Sequence, residues 1–77
     1  MTYTLYHFKT QSRPQIEPAA SIQEGAWLFL GNQQGMACLR AVLPPSEELT
    51  AYFPAAQDVT REEKAGTITD IIMGRLQ

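Results

Sequence analysis

The chain opens with a two-residue period. In Thr2 to Thr10, TYTLYHFKT, an extended backbone puts Tyr3, Leu5 and His7 on one side and Thr4, Tyr6 and Phe8 on the other. Aromatic and β-branched residues at this spacing predict a strand, with apolar groups to bury on both sides. Residues 11–25 contain Pro14, Pro18 and Gly25 among polar residues and read as a loop. Ser21 and Glu24 have capping-box spacing, but Gly25 and the bulky residues after it leave room for a single turn at most. Trp27, Leu28, Phe29 and Leu30 then follow without polar alternation. This predicts a strand over residues 26–31, covered on both faces or covered on one face and in contact with another chain on the other.

Gly31 to Gly35, GNQQG, separates this run from the next, MACLRAVL. A phosphate loop of the Walker type needs Lys and Ser/Thr directly after its last glycine, whereas Met36 and Ala37 stand here. The third glycine of a dinucleotide fingerprint is also missing. The segment therefore reads as a hairpin turn, its glycines and Asn32 suited to positive φ. Residues 35–43 fit either a strand or a helix stripe of Met36, Leu39 and Leu43; the short connection to the preceding strand favours a strand.

After Pro44 and Pro45 the period changes. Ser46 is placed to cap a short helix, with Glu47 and Glu48 at its positive end and Leu49, Tyr52 and Phe53 on one face before Pro54. Thr60 and Glu63 have capping-box spacing ahead of a stripe of Ala65, Ile68, Ile72 and Leu76, which predicts a longer C-terminal helix. Gly66, Thr67 and Thr69 weaken it. The expected architecture is one α+β domain over residues 1–77: a small three-stranded, mainly antiparallel sheet in β-β-β-α-α order, with the C-terminal helix packed on one face.

Size sharpens this picture. A 77-residue chain removes only roughly 60–65% of its unfolded surface from water. Small domains often add disulfides, metal or a partner. One cysteine, Cys38, makes no internal disulfide, and one Cys with one His cannot supply the four ligands of structural zinc, so no metal or other cofactor is expected. Association with another chain remains. The start shows no signal-peptide pattern, and the longest apolar run, Ala26 to Leu30, is too short for a bilayer. With a lone thiol, a cytoplasmic protein is expected.

Net charge is −2, which favours neither nucleic acid nor an anionic membrane. The acids Glu47, Glu48, Asp58, Glu62, Glu63 and Asp70 gather in the second half, against Arg61 and Lys64 between them. Such a run is first a solvated helical face and second a contact surface for a basic partner.

Catalytic arrangements are thin. His7 titrates near neutrality, and Ser12, Ser21, Ser46, Asp58 and Asp70 are available, but none of these serines lies in a nucleophile elbow. Cys38 sits in an apolar run and reads as a small buried hydrophobe. The pairs Glu47/Glu48 and Glu62/Glu63 fall in predicted first turns, where capping accounts for them. The expectation is a non-enzymatic protein-binding module, such as an inhibitor, adaptor or accessory subunit. Its basis is ring surface: Tyr3, Tyr6, Phe8, Trp27 and Phe29 exceed what one amphipathic helix covers, and exposed apolar patches mark interaction sites. Tyr6, Phe8 and Trp27 are the expected anchors, with Tyr52, Glu62 and Glu63 as rim. Two alternatives are a single-stranded nucleic-acid binder stacking bases on the sheet aromatics, which lacks a basic cluster, and a small enzyme built around His7 at an oligomer interface. Homo-oligomerisation fits any of these.

Overall fold

The computed structural model describes residues 2–11 and 25–74. The elements run β1 (Thr2–Thr10), β2 (Ala26–Gln33), β3 (Met36–Leu43), a 3-10 turn (Leu49–Ala51), β4 (Gln57–Ala65) and α1 (Ile68–Ile72). The strands form one antiparallel sheet of four in the order β2-β3-β1-β4. The expected strands are present, but the sheet has one more strand, and the structure has less helix, than the sequence pattern suggested.

Between β2 and β3 the chain turns in two residues, Gln34 and Gly35, with φ of 53° and 80°, and Gln33 pairs directly with Met36. Two successive positive φ values give the tight loop whose twist matches that of the flanking strands. Gly35 adopts its value without the penalty a Cβ would bring. This connection holds Met36–Leu43 in extended form beside β2, although its residue types also suit a helix.

Register sorts the side chains. Leu5, His7 and Lys9 of β1 share a face with Val42, Arg40 and Cys38 of β3 and with Ala26 and Leu28 of β2. The other face carries Tyr6, Phe8 and Thr10 of β1, Ala41, Leu39 and Ala37 of β3, and Trp27 and Phe29 of β2. On the first face lies α1, with Ile71 and Ile72 buried and Ile68 packed against the core. On the second lies the segment after Pro45, with Leu49 and Phe53 buried. The Phe53 ring centre is 4.9 Å from that of Phe8 and 5.8 Å from that of Trp27, the latter pair edge to face.

This second cover corrects the expectation of surplus ring surface. Tyr3, Tyr6, Phe8 and Trp27 are all buried, at most 8% exposed, and of the five N-terminal rings only Phe29, at 39%, reaches solvent. Ala41 lies between Tyr6 and Trp27 across the sheet and has no accessible surface. A small residue leaves the rings on either side room to pack, and Phe53 covers this face through Phe8 and Trp27. The cover is a single 3-10 turn with irregular flanks, not the helix expected there. Glu48 occupies its N-cap without a side-chain capping bond, and Ser46 lies in the turn closed by the Glu47 amide donating to the Pro44 carbonyl at 3.0 Å.

The predicted C-terminal helix from Thr60 is the larger correction. Residues Gln57–Ala65 form an edge strand on β1, and only Ile68–Ile72 are helical. The Thr60/Glu63 box is not used: Thr4 pairs with Glu63 and His7 with Thr60 across the ladder. β1 lies inside the sheet and needs hydrogen-bond partners on both sides, a tertiary demand that outweighs the modest helix preference of Arg, Glu and Lys. Gly66 then takes φ of 138°, incompatible with a continuous helix. The helix starts afresh at Thr67, whose hydroxyl oxygen accepts from the Asp70 amide at 3.2 Å. Leu76, expected on the same stripe, lies outside the described residues.

Phe53→Ala should cost about 3–5 kcal/mol, comparable to the whole stability of a domain this size, and leave the chain largely unfolded in mild urea. Phe29→Ala, at a partly exposed position, should cost less than about 1.5 kcal/mol on the same unfolding curves.

Candidate functional site

With the rings inside, the chemistry of the surface lies along β4 and the segment facing it. Every residue of β4 except Lys64 is exposed. On the Tyr6 face, Arg61 and Glu63 stand opposite Tyr6 and Thr4, and the chain after β3 brings Pro45, Glu47 and Glu48 across from them. Between these two walls runs an open groove of about 420 Å³, floored by Thr4 and Tyr6. A second hollow of about 300 Å³ adjoins it, sharing Tyr6, Glu48 and Arg61 and adding the exposed Val59.

The register divides the Glu62/Glu63 pair. Neighbours on a strand point to opposite faces, so Glu63 belongs to the groove, and Glu62, opposite Leu5, belongs to the other face and meets the groove only along the strand. The groove therefore presents the carboxylates of Glu47, Glu48 and Glu63 against the guanidinium of Arg61. Glu47 is held in place by the Tyr52 hydroxyl, which donates to its Oε2 at 3.2 Å. Partial burial, and after it the negative charge and the hydrogen bond of Glu47, keep the Tyr52 phenol protonated beyond the ordinary tyrosine range.

Of the residues expected to bind, Tyr6 forms the groove floor, Glu63 its wall, and Tyr52 supports the opposite wall through Glu47. Phe8 and Trp27 are elsewhere, locked against Phe53 in the core. The acids are not on helices: Glu47 and Glu48 precede the 3-10 turn, and Glu62 and Glu63 are on β4. The stacking platform required by a single-strand nucleic-acid binder is likewise not at the surface, because Tyr6, Phe8 and Trp27 are each about 5% exposed or less. The sequence assigned Glu47 and Glu48 to helix capping and gave Arg61 no binding role; their place on the groove is legible only once residues 57–65 are known to be a strand.

The opposite face holds a smaller cavity, about 140 Å³, bounded by Leu5, His7, Arg40, Glu62, Lys64, Ile71 and Gly74. Arg40 reaches from β3 to α1, its Nη1 donating to the Ile72 carbonyl at 2.9 Å and so capping the negative end of the helix. Its Nε is buried and has no hydrogen-bond partner among the described residues. His7, opposite Arg40 in the ladder, has its pKa lowered below 6.5, first by burial and then by the Arg40 charge, with Glu62 opposing. Among the described residues no serine, cysteine or aspartate lines this cavity; Ser12 and Ser21, weighed for a triad with His7, lie outside the described residues. Cys38, opposite Lys9 in the ladder, is half-buried, more accessible than the sequence suggested. Among the described residues no group of three or more His, Cys, Asp or Glu side chains could hold a metal ion, and no helix is long and apolar enough to cross a membrane.

No protein-family model, curated protein or solved structure matches the chain.

The His7 arrangement is directly measurable. A lowered imidazole pKa means that the unfolded chain takes up the proton first, so the His7 contribution to stability is complete above pH 6.5 and declines as pH falls below it. NMR titration should place the His7 midpoint below 6.5, and Arg40→Gln should move it upward by removing the neighbouring charge.

Proposed function

We propose that this chain is a small cytoplasmic protein-binding module, non-enzymatic, acting as an inhibitor, adaptor or accessory subunit. Its contact surface is the acidic groove between β4 and the segment after β3. The observation that carries this reading is the convergence of Glu47, Glu48 and Glu63 on one open groove, with Arg61 its only cationic lining residue among the described residues. Carboxylates held on opposite walls suit a partner segment bearing Lys or Arg side chains, whose charged heads they can pair. Opposite charge then supplies orientation and encounter rate more than raw affinity. Support for the cytoplasm comes from the single half-buried thiol and the consequent reliance on packing instead of disulfides.

The aromatic anchors originally expected are replaced in this reading by the groove itself. Phe29 and Leu30, on the far edge strand β2, are 39% and 48% exposed and add apolar area away from the groove.

A synthetic Lys/Arg-rich peptide should bind the folded chain with an affinity that falls as salt is added, as expected for exposed charges. By isothermal titration, Glu48→Gln and Glu63→Gln should each weaken binding several-fold, while Glu62→Gln, on the opposite face, should change it little. Binding that is indifferent to salt, or equal losses in all three variants, would remove the groove as the contact surface.

A further inference from the structure

β4 is a strand with almost nothing to pack against. Apart from Lys64 its side chains are exposed on both faces, and among the described residues its ladder is with β1 alone. Backbone hydrogen bonds are then its main attachment, and its outer edge offers the same groups to another strand. Natural edges are usually protected by a bulge, a proline or charged side chains, and charges guard an edge least where an opposed strand can match them. Here the irregularity lies at one end, where Asp58 takes φ of 53° and the register shifts between His7 and Lys9. From Thr60 to Ala65 the pairing with β1 is regular, and the charges within it balance, Arg61 and Lys64 against Glu62 and Glu63.

Symmetry narrows what this edge can meet. Two copies joined edge to edge by antiparallel strands are related by a two-fold axis perpendicular to the sheet, so each face continues into the same face of the other copy. Directly opposed residues then have the same parity. Centring the axis on Glu62 uses the regular stretch most fully, placing Arg61 opposite Glu63 of the second copy, Glu63 opposite its Arg61, and Thr60 opposite its Lys64. The two Glu62 residues meet at the axis, each accompanied by its own Lys64 at 3.9 Å. Displacing the axis by one residue to Arg61 opposes two arginines and runs into the irregular end; displacing it to Glu63 opposes Glu62 and Lys64 twice but shortens the regular ladder.

We infer that β4 is a self-association edge: two copies pair β4 to β4 about Glu62, forming one continuous eight-stranded sheet. The observation behind it is the self-complementary placement of Arg61 and Glu63 on a strand exposed on both faces. The pairing engages Arg61 and Glu63, which also line the groove, but it does not require the groove to bind a partner. A ladder this short buries little area, so the dimer is weak and assembles reversibly with concentration.

Light scattering and sedimentation of the purified chain, over concentrations up to its solubility limit, should show a monomer–dimer equilibrium. Arg61→Glu and Glu63→Arg each oppose like charges twice across the axis and should weaken the dimer about tenfold or more, with circular dichroism unchanged. Mixing these two variants should give a heterodimer, and the double variant R61E/E63R should recover self-association. A wild-type chain that remains monomeric throughout, or a dimer equally strong in both single variants, would overturn the inference. Peptide binding by a strictly monomeric chain would leave the groove reading standing, and a dimer that ignores basic peptides would do the reverse.

Discussion

A sheet with apolar side chains on both faces must be covered on both faces, and here the described covers are short: a five-residue helix on one side and a 3-10 turn with irregular flanks on the other. Neither would persist as an isolated peptide, since helices of this length are far below the nucleation limit. They are held by what they cover. Phe53 packs against the rings of Phe8 and Trp27, and α1 is tied down by Ile71 and Ile72 and by the Arg40 guanidinium on its last carbonyl. Folding of the strands and docking of the covers are therefore one cooperative event. The site follows from it, because the segment that brings Phe53 to the core also carries Glu47 and Glu48 to the groove.

Using the chain's second half to cover the Tyr6 face and then extend the sheet sets the character of the surface. Rings that would otherwise have been a docking patch become core, and the acids spread along an exposed strand and the turn before it. What faces solvent around Tyr6 is charged and concave, not flat and oily. On the opposite face, His7, Arg40, Glu62 and Lys64 border a cavity of about 140 Å³, and the Arg40 hydrogen bond to the Ile72 carbonyl secures the helix terminus. The two faces thus divide the work: one locks the C-terminal segment, and the other offers the groove.

Much of the sheet was legible from residues alone. The aromatic alternation of Tyr3 to Phe8, the unbroken run Trp27 to Leu30 and the glycine-flanked turn each forced an extended reading, and the structure has strands in all three places, with the turn narrowed to Gln34 and Gly35. Residues 57–65 were misread because Arg, Glu, Glu and Lys suit an exposed strand and an exposed helix equally, and no buried residue fixed a period. Thr60/Glu63 imitated a cap while the operative one, Thr67 with Asp70, stood directly after Gly66 with the same spacing. The burial of the rings was hidden for a different reason. It depends on Ala41 lying between Tyr6 and Trp27, a cross-strand row that exists only once the register is known. The groove was half visible, since Tyr6, Tyr52 and Glu63 were candidates, but the split of Glu62 from Glu63 required the strand.

The claim on which both the groove and the self-association edge depend is that residues 57–65 are a strand on β1. Backbone chemical shifts together with cross-strand NOEs test it most directly. The account predicts extended shifts from Gln57 to Ala65, with contacts from Leu5 to Glu62 and from Tyr3 to Lys64. Helical shifts running unbroken from Thr60 through Ile72, without those contacts, would contradict it.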